Sequence, residues 1–554
     1  MDVISETKQA VKYTKEKNFE AAEKIYLKIL KKDKDNPVIL TFLGLLYMKT
    51  RCGKLAEKYL EKAASIKKNQ ILTESLGFVK YRLDKYEEAC GYFSEAIKTN
   101  KNFNIYDKYI KSLINSRSFS KAYECAYECF QKYPFNQEAL YNLIDACIHA
   151  GRLKEASHYG KQIIVKYPKY ALGWLTYGLL AEMLYYDDKF AFECYKKALR
   201  LGEKSQAYCN LAISSLKTGE YGKALRYLKK SVNPLTNMGE LHFLISTIYF
   251  KQRKFKKAFR HYALKEHDIN FRNPMSKLKH LWDGKTYKNE TLLLYMDQGR
   301  GDCIMFSRYL PFLEKKFKHI NMYAPWDLKK LFKRSFSGYK KVSFHSFSGR
   351  FLHYDKSVAA SNLPYYLKMD NGEFPFPEGY LNADTKKIKY YKTNYFNTNE
   401  FKVGICWEAG GAGWREQIHR TLNIELFEPI LDLAGVKCYS FQVKPTVNNY
   451  KNYPDLVDLG STFKDFDDTA AAIMNLDLLI SVDTSVVHLA GALGVRTFML
   501  LPYVTDWRWF DAVDKTEWYN SVNIFKQQKS IGWEAEIEKI KREIEQLLMN
   551  VRKN

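Results

Sequence analysis

No apolar run in this chain of 554 residues approaches the roughly 20 residues needed to cross a membrane. The opening stretch, MDVISETKQAVKYTKEK, is charged and lacks the apolar centre of a signal peptide. A cytoplasmic protein without a transmembrane segment is expected. The ten cysteines include no Cys-x-x-Cys pair and no zinc-ligand spacing, which points to reduced thiols and away from a structural zinc or a redox dithiol. Charge of one sign is in excess, with 88 Lys plus Arg against 62 Asp plus Glu and a net charge of +26. No block of consecutive basic residues, basic recognition helix or aromatic sheet motif accompanies it. Most of the excess is lysine dispersed on helix faces, so it reads as solvated surface, with no nucleic-acid partner. Apolar residues at 46% are ample for folding, and the length calls for several cores.

The first half is repetitive. Leu43-Gly44 is followed by Ala56 and Ala63, and Leu76-Gly77 by Ala89 and Ala96 at the same offsets. Leu143 leads to Ala156, Leu211 to Ala224 and Ile245 to Ala258. Starting points at 43, 76, 109 and 143 recur every 33 or 34 residues, a spacing that resembles the tetratricopeptide repeat. The small residue lets two helices approach, while Tyr47, Phe93 and Tyr195 fill the space between hairpins. Pro37, Pro134 and Pro168 are expected where helices end. Cys129 falls on a small position, so the i, i+4 pair Cys125 and Cys129 reads as packing. About seven or eight units are expected over residues 1–270, the sixth with an insertion near Tyr185 to Asp188. Their concave surface suits a protein or peptide partner.

Asn273-Pro274 ends the array, and residues 271–290 read as a linker. Then the period changes. Thr291 to Met296 is a buried-strand run, Asp297-Gln298-Gly299-Arg300-Gly301-Asp302 a glycine-bearing turn, and Ile304 to Leu310 the start of a helix. Gly299 and Gly301 would let the backbone turn tightly beside a ligand. Asp302 sits at a helix start, where an N-cap role competes with a chemical one. Cys303 shares that position, but nothing else calls for covalent chemistry. A strand is expected at His319 to Tyr323, and residues 380–400, rich in Tyr, Lys and Asn, read as a connection. Residues 291–398 form a first α/β subdomain.

Residues 399–530 form a second. Lys402 to Trp407 is a strand, and Glu408 to Arg420 a polar glycine-rich loop whose Arg420 could clamp phosphate bidentately. The strand Lys437 to Val443 ends at Gln442 and Lys444. Asp465-Phe466-Asp467 imitates a metal-binding Asp-x-Asp, but Asp467 and Asp468 read as caps opening a helix, so no metal is assigned. Leu476 to Leu493, LDLLISVDTSVVHLAGAL, is strand, turn and helix: Leu478 to Val482 is a buried run, Asp483, Thr484 and Ser485 break it, and an apolar helical pattern follows. A helix beginning at a strand's carboxyl end offers unpaired amides and a positive dipole end, which suits a diphosphate. Simple capping, with His488 packed in a core, is the competing reading. Residues 531–554 are one amphipathic helix.

Several blocks, in order, resemble the heptosyltransferase-type glycosyltransferase domain that many bacteria fuse to tetratricopeptide repeats. They are Trp282-x-Gly284, Gln298-Gly-x-Gly301-Asp302 with Arg308-Tyr309-Leu310-Pro311, Val403-Gly404-x-x-Trp407, Arg420, Gln442 and Asp468-Thr469-Ala470. Asp483-Thr484-Ser485 with His488-Leu489-Ala490-Gly491-Ala492, Leu501-Pro502 and Asp506-Trp507-Arg508-Trp509 complete them. The resemblance implies an α plus α/β chain: a solenoid followed by a GT-B glycosyltransferase of two Rossmann-like subdomains. It implies an inverting, metal-independent transfer of a sugar from a nucleoside-diphosphate co-substrate to an acceptor hydroxyl, with no cofactor. Asp302 would be the general base. The amides of Thr484 to Val486, the hydroxyls of Thr484 and Ser485, His488 and Arg420 would hold the diphosphate. Gln298, Gly299, Gly301, Asp483, Gln442 and Lys444 would support the site.

Departures from the family pattern are Asp297 where Glu is expected, the loop Glu408 to Gln417, and Thr421 in place of Ser. The leading expectation is a protein acceptor held by the repeats. A surface-glycan or lipopolysaccharide transferase with the repeats as a docking module, and a non-catalytic scaffold, are the alternatives. Donor, acceptor and oligomeric state are left open by the sequence.

Overall fold

The computed structural model describes the chain except for residues 1–2, 185–186, 232–237, 266–279, 348–350, 411–419, 444, 446–451, 529–531 and 554. It divides into two compact units, Met1–Ala207 and Tyr208–Asn554. The first is built from helical hairpins of tetratricopeptide type: α1 (Val3–Lys15) with α2 (Phe19–Lys32), α3 (Pro37–Lys49) with α4 (Gly53–Ile66), α5 (Gln70–Arg82) with α6 (Tyr86–Thr99), α7 (Phe103–Asn115) with α8 (Phe119–Lys132), α9 (Gln137–His149) with α10 (Leu153–Lys166), and α11 (Ala171–Leu184) with α12 (Asp188–Arg200). Ala22, Ala56, Ala89, Ala122, Ala156 and Ala191 are fully buried where paired helices meet. Close approach also explains the glycine after the repeat leucine: a Cβ on Gly44 would lie 2.6 Å from Leu60, and on Gly77 2.8 Å from Phe93.

Asn36, Asn69, Asn102 and Asn136 recur at the repeat spacing, and each side chain caps the helix that follows. Pro37 corrects one expectation. It opens α3 instead of ending a helix, because a first-turn residue has no intrahelical use for an N–H. Pro134 and Pro168 do lie in turns between helices. Cys125 and Cys129 are buried packing residues. Glu57, Glu61 and Glu88 converge closely enough to hold a cation, and the buried Lys80 ammonium lies among them at 2.7, 2.6 and 2.5 Å. Burial alone would lower that lysine's pKa; the three carboxylates outweigh it and raise it.

Two more hairpins follow, α13 (Ser205–Lys217) with α14 (Tyr221–Ser231) and α15 (Met238–Lys251) with α16 (Phe255–Leu264). The boundary between compact units falls in the first turn of α13, so nearly all of these helices belong to the second unit. Phe250, Phe255, Ala258, Phe259 and Tyr262 are buried in one apolar cluster with Leu292, Phe306, Trp507 and Phe510.

The second unit contains two wholly parallel sheets. One has the order β3-β2-β1-β4, from β1 (Tyr287–Tyr295), β2 (Phe317–Ala324), β3 (Val342–Ser346) and β4 (Lys356–Ala359). The other has the order β10-β9-β8-β5-β6-β7, from β5 (Phe401–Cys406), β6 (Val436–Ser440), β7 (Val457–Asp458), β8 (Leu478–Val482), β9 (Thr497–Leu501) and β10 (Val522–Lys526). Leu292–Leu294 and Leu478–Ile480 are fully buried, as strands covered on both faces must be. The order reverses between β1 and β4 in one sheet and between β5 and β8 in the other. A ligand crevice opens at such reversals, outside the carboxyl ends of the strands.

Among the described residues the second unit's remaining α-helices are α17 (Arg300–Ser307), α18 (Lys329–Ser335), α19 (Leu363–Tyr366), α20 (Thr385–Tyr395), α21 (Glu428–Leu431), α22 (Phe466–Ile473), α23 (Ser485–Leu493) and α24 (Glu534–Lys553). α17 starts at Arg300, before the expected Ile304. The stretch read as a connection contains α20, capped by Asp384. Asp465, not Asp467 or Asp468, caps α22, accepting from both of their amides. These carboxylates then clasp the two subdomains: Arg334 donates to Asp467, Lys387 reaches Asp467 and Asp468 at 3.0 and 2.6 Å, and Lys330 reaches Asp465 at 2.9 Å.

Candidate active site

A cavity of about 720 Å³ in the second unit lies at the strand ends of both sheets. Gln298 to Asp302 line one side; Arg420, Gln442 and Asp483 to Val486 line the other, with His488 and Asp506 to Arg508 between. Sequence-expected residues far apart in the chain thus line one cavity. Lys444 and residues 411–419 of the glycine-rich loop lie outside the described residues.

After β1 the chain turns at Gln298, whose φ of +72° places a non-glycine residue in the left-handed region. Gly299 has φ −73°, so the tight turn expected of the glycines falls on Gln298. Gly301 is needed for space: a Cβ there would lie 2.7 Å from His488 Cδ2. Asp297 has a definite partner, accepting from the Ser361 amide at 3.0 Å and its hydroxyl at 2.7 Å, which ties the end of β1 to the turn after β4. Cys303 is fully buried with its thiol directed at the Met296 carbonyl, and burial raises its pKa well above the ordinary value.

Asp302 is the third residue of α17, not its N-cap. Its Oδ2 accepts from the Gly299 amide at 3.3 Å. Arg508 grips both oxygens, Nε to Oδ1 at 2.7 Å and Nη2 to Oδ2 at 2.9 Å, while Nη1 donates to Asp506 at 2.7 Å. Burial alone would raise the Asp506 carboxyl, but Arg508 outweighs it and holds it below the usual range. Arg508 is the residue missed at sequence level. The Asp506-Trp507-Arg508-Trp509 block was the signal, but only the fold shows which carboxylate it meets.

On the facing turn, Thr484 caps α23. Its hydroxyl accepts from the Val486 amide at 3.3 Å and lies 3.1 Å from the Ser481 hydroxyl. The Val486 amide, expected to face a diphosphate, is therefore occupied by the cap. Among the described residues no acceptor takes the amides of Thr484 and Ser485, so these two, with the Ser485 hydroxyl, remain for an anion. Arg420 Nη1 donates to Asp483 Oδ2 at 3.3 Å, and the same nitrogen lies 3.4 Å from the Asp483 carbonyl. Burial raises the Asp483 carboxyl, with Arg420 opposing. Asp483 holds the arginine beside the amides.

His488 is 3% exposed, stacks on Trp509 at 5.1 Å and lies 3.1 Å from the Tyr519 hydroxyl through Nδ1. Burial, then the nearby Arg508 and Arg308, pushes its pKa down to about 3. The imidazole is neutral. It can offer a hydrogen bond to an anion, not a charge. Gln442 is turned to the scaffold, its Oε1 accepting from the amides of Trp407 at 3.2 Å and Glu408 at 2.9 Å, which holds the ends of β5 and β6 together.

Fold and site together define a class: tetratricopeptide-type repeats followed by an α/β unit of two parallel sheets, with an anion-suited cleft at their switch points. No protein-family model matches the chain. It is similar to protein FlbA of Caulobacter vibrioides, 23% identical over 432 residues, covering 72% of this chain and 71% of that protein. A TPR repeat-containing protein of Methanocaldococcus jannaschii is 28% identical over 240 residues, 34% of this chain and 42% of that one. Among solved structures, a tetratricopeptide repeat protein from Parabacteroides merdae covers 44% of this chain and 97% of its own, at 15% identity and a TM-score of 0.40. No helix among the described residues is long and apolar enough to cross a membrane.

Proposed function

We propose that the second unit is a metal-independent, inverting glycosyltransferase of GT-B type, resembling the heptosyltransferases, and that the repeats present a protein acceptor. The observation that carries this reading is the pairing across one cavity of a buried carboxylate, Asp302, with an anion site made of two unpartnered amides and Arg420. Asp302 takes the proton of the acceptor hydroxyl while the acceptor's oxygen forms the bond to the anomeric carbon. The bond from that carbon to the diphosphate breaks, and the electron pair leaves with the terminal phosphate oxygen. The amides of Thr484 and Ser485, the Ser485 hydroxyl, His488 and Arg420 meet the developing charge. Arg508 sets the direction of the Asp302 carboxylate. The Asp-x-Asp-like stretch supplies no free metal ligands to this reaction, since Asp465, Asp467 and Asp468 are engaged by Lys330, Arg334 and Lys387.

The test is incubation of the purified protein with a panel of nucleoside-diphosphate sugars and cell extract, reading sugar-bearing proteins by mass spectrometry, with Asp302→Ala as control. Transfer by the wild type alone is expected. Equal transfer by Asp302→Ala would remove the assigned base. One observation favours a second reading, a non-catalytic interaction scaffold: both Asp302 oxygens are held by Arg508. Binding of nucleoside diphosphate without turnover of any sugar in the panel would select it.

A further inference from the structure

The loop that carries Arg508 is fastened by the last repeats. Trp507 is covered by Phe250 of α15, with ring centroids 4.7 Å apart and 28° between planes, and by Tyr262 of α16 at 4.8 Å. The Arg508 guanidinium lies over the Trp507 ring at 4.6 Å, so the ring touches the repeats and the arginine together. At the far end of the loop Phe510 and Asp511 have φ of +47° and +56°, two successive non-glycine residues in the left-handed region, a conformation that persists only when neighbours impose it. Repeat residues are among those neighbours, beside Phe374 and Trp518, which pack on Phe510. Lys251 of α15 donates to Asp511 Oδ1 at 2.5 Å and to Thr505 Oγ1 at 2.8 Å, and the Tyr221 hydroxyl of α14 donates to Asp511 Oδ2 at 2.8 Å. Thr505 donates to Asp511 Oδ1 at 2.5 Å, and Lys526 lies 4.0 Å from it. Phe255 of α16 packs on Phe510 at 4.9 Å. On the opposite side Trp518 Nε1 donates to the Arg508 carbonyl at 2.7 Å. The Lys251 side chain is only 5% exposed, and Phe243 of α15 lines the cavity itself.

We propose that the last two hairpins of the repeat array are part of the active centre: Lys251, Tyr221 and Phe250 are positioning residues that hold Arg508, and through it Asp302. The chain of contact is continuous, from Lys251 and Tyr221 to Asp511, from Phe250 to Trp507, from Trp507 to Arg508, and from Arg508 to Asp302. Whatever moves α15 moves the grip on the carboxylate. The kinetic part rests on the transferase reading above; the structural part does not.

The experiment uses the full-length chain with Lys251→Met, Tyr221→Phe and both together, and Lys251→Arg as the conservative variant. Hydrogen exchange is followed in peptides covering 503–511 and 299–305, alongside donor turnover. In the double variant both peptides are expected to exchange at least about tenfold faster, because the loop opens and Asp302 loses its partner. Turnover is expected to fall about tenfold or more in kcat with donor KM changed less than about threefold, since ground-state diphosphate contacts are untouched. Lys251→Arg, which keeps the charge and the buried stem, restores most of both. A Lys251 that serves only packing would loosen 503–511 and leave 299–305 unchanged, which overturns the proposal, as does unchanged kcat with both peptides loosened. If the wild type turns over no donor, the transferase reading fails while the 299–305 exchange still decides the positioning role. A double variant that fails to fold leaves the decision to Tyr221→Phe, which removes one hydroxyl: unaltered exchange in both peptides there overturns the proposal.

Discussion

Gly301 and His488 touch across the two subdomains so closely that a methyl group on the glycine would lie 2.7 Å from the imidazole Cδ2. This contact brings the start of α17 against α23 and so sets the width of the cavity between Asp302 and the anion site. Gly301→Ala is expected to destabilise the second unit by about 1–3 kcal/mol, the usual cost of overpacking, and to lower donor affinity. Urea denaturation followed by tryptophan fluorescence, with a nucleoside-diphosphate binding isotherm, measures both. An unchanged midpoint and affinity would show that the imidazole yields freely.

Arg508→Lys should not substitute for the wild type. The arginine makes two parallel bonds to Asp302 and a third to Asp506, a fork an ammonium cannot copy. A loss of about 100-fold in kcat is expected, with Asp302→Asn and the double variant no worse than additive. Steady-state kinetics on the four proteins of the cycle provide the measurement. An active Arg508→Lys would mean that Asp302 needs only a nearby charge.

Asp467→Asn breaks the clasp made by Arg334 and Lys387, leaving two cations beside a buried neutral amide. A loss of about 3 kcal/mol is expected in urea denaturation. Treatment of the wild type with EDTA should leave transfer unchanged, because these carboxylates are already paired with cations. Activity lost to EDTA and restored by a divalent ion would contradict the metal-independent mechanism.

Acid should weaken the second unit well above the carboxylate range. Burial, then Arg508 and Arg308, pushes His488 down to about 3 in the folded chain, and burial, then His242 and Arg260, pushes His261 down to about 4, against an ordinary value of 6.5. A histidine whose pKa is depressed by folding takes its proton first in the unfolded chain. Its contribution is therefore fully present above pH 6.5 and is lost as pH falls toward the folded value, by up to ~1.4 kcal/mol per pH unit for each group. Denaturation midpoints between pH 7 and pH 5 should fall, with a shallower slope in His488→Asn. A flat profile in the wild type would show that these rings are not buried neutral.

A fragment beginning at Tyr208 should fold and keep donor binding, whereas one beginning at His280 should be insoluble. The second cut removes Phe250, Phe255, Phe259 and Tyr262 from the cluster that covers Trp507 and Phe510. Expression yield and thermal denaturation of the two fragments provide the comparison.

Local patterns in the chain carried much of the fold. The spacing from Leu43 to Ala56 marks a hairpin because small residues must recur where helices touch, and the run from Leu478 to Val482 marks a buried strand because both its faces are covered. β3, with every residue half-buried, lacked such a contrast and went unseen, as did β4, β7 and β10. Thr484 and Ser485 could be picked out as candidates because they stand at a strand-to-helix turn, and Arg420 because it closes a polar loop after a strand; Asp302 and His488 took their roles from the resemblance. Roles were less legible than positions. Val486 lost its amide to a cap, Gln442 its carbonyl to two backbone donors, and the histidine its charge to burial.

The sequence alone determined that helical repeats precede an α/β region and which turns line the cavity, because periodicity, capping and strand burial are local properties. Only the tertiary structure decided that Arg508 grips Asp302, that Lys251 and Phe250 belong to the same centre, and that the Asp465 to Asp468 carboxylates form a clasp. Those relations join residues at least 80 positions apart. Their distances follow from how sheets and helices pack, and no local pattern encodes them.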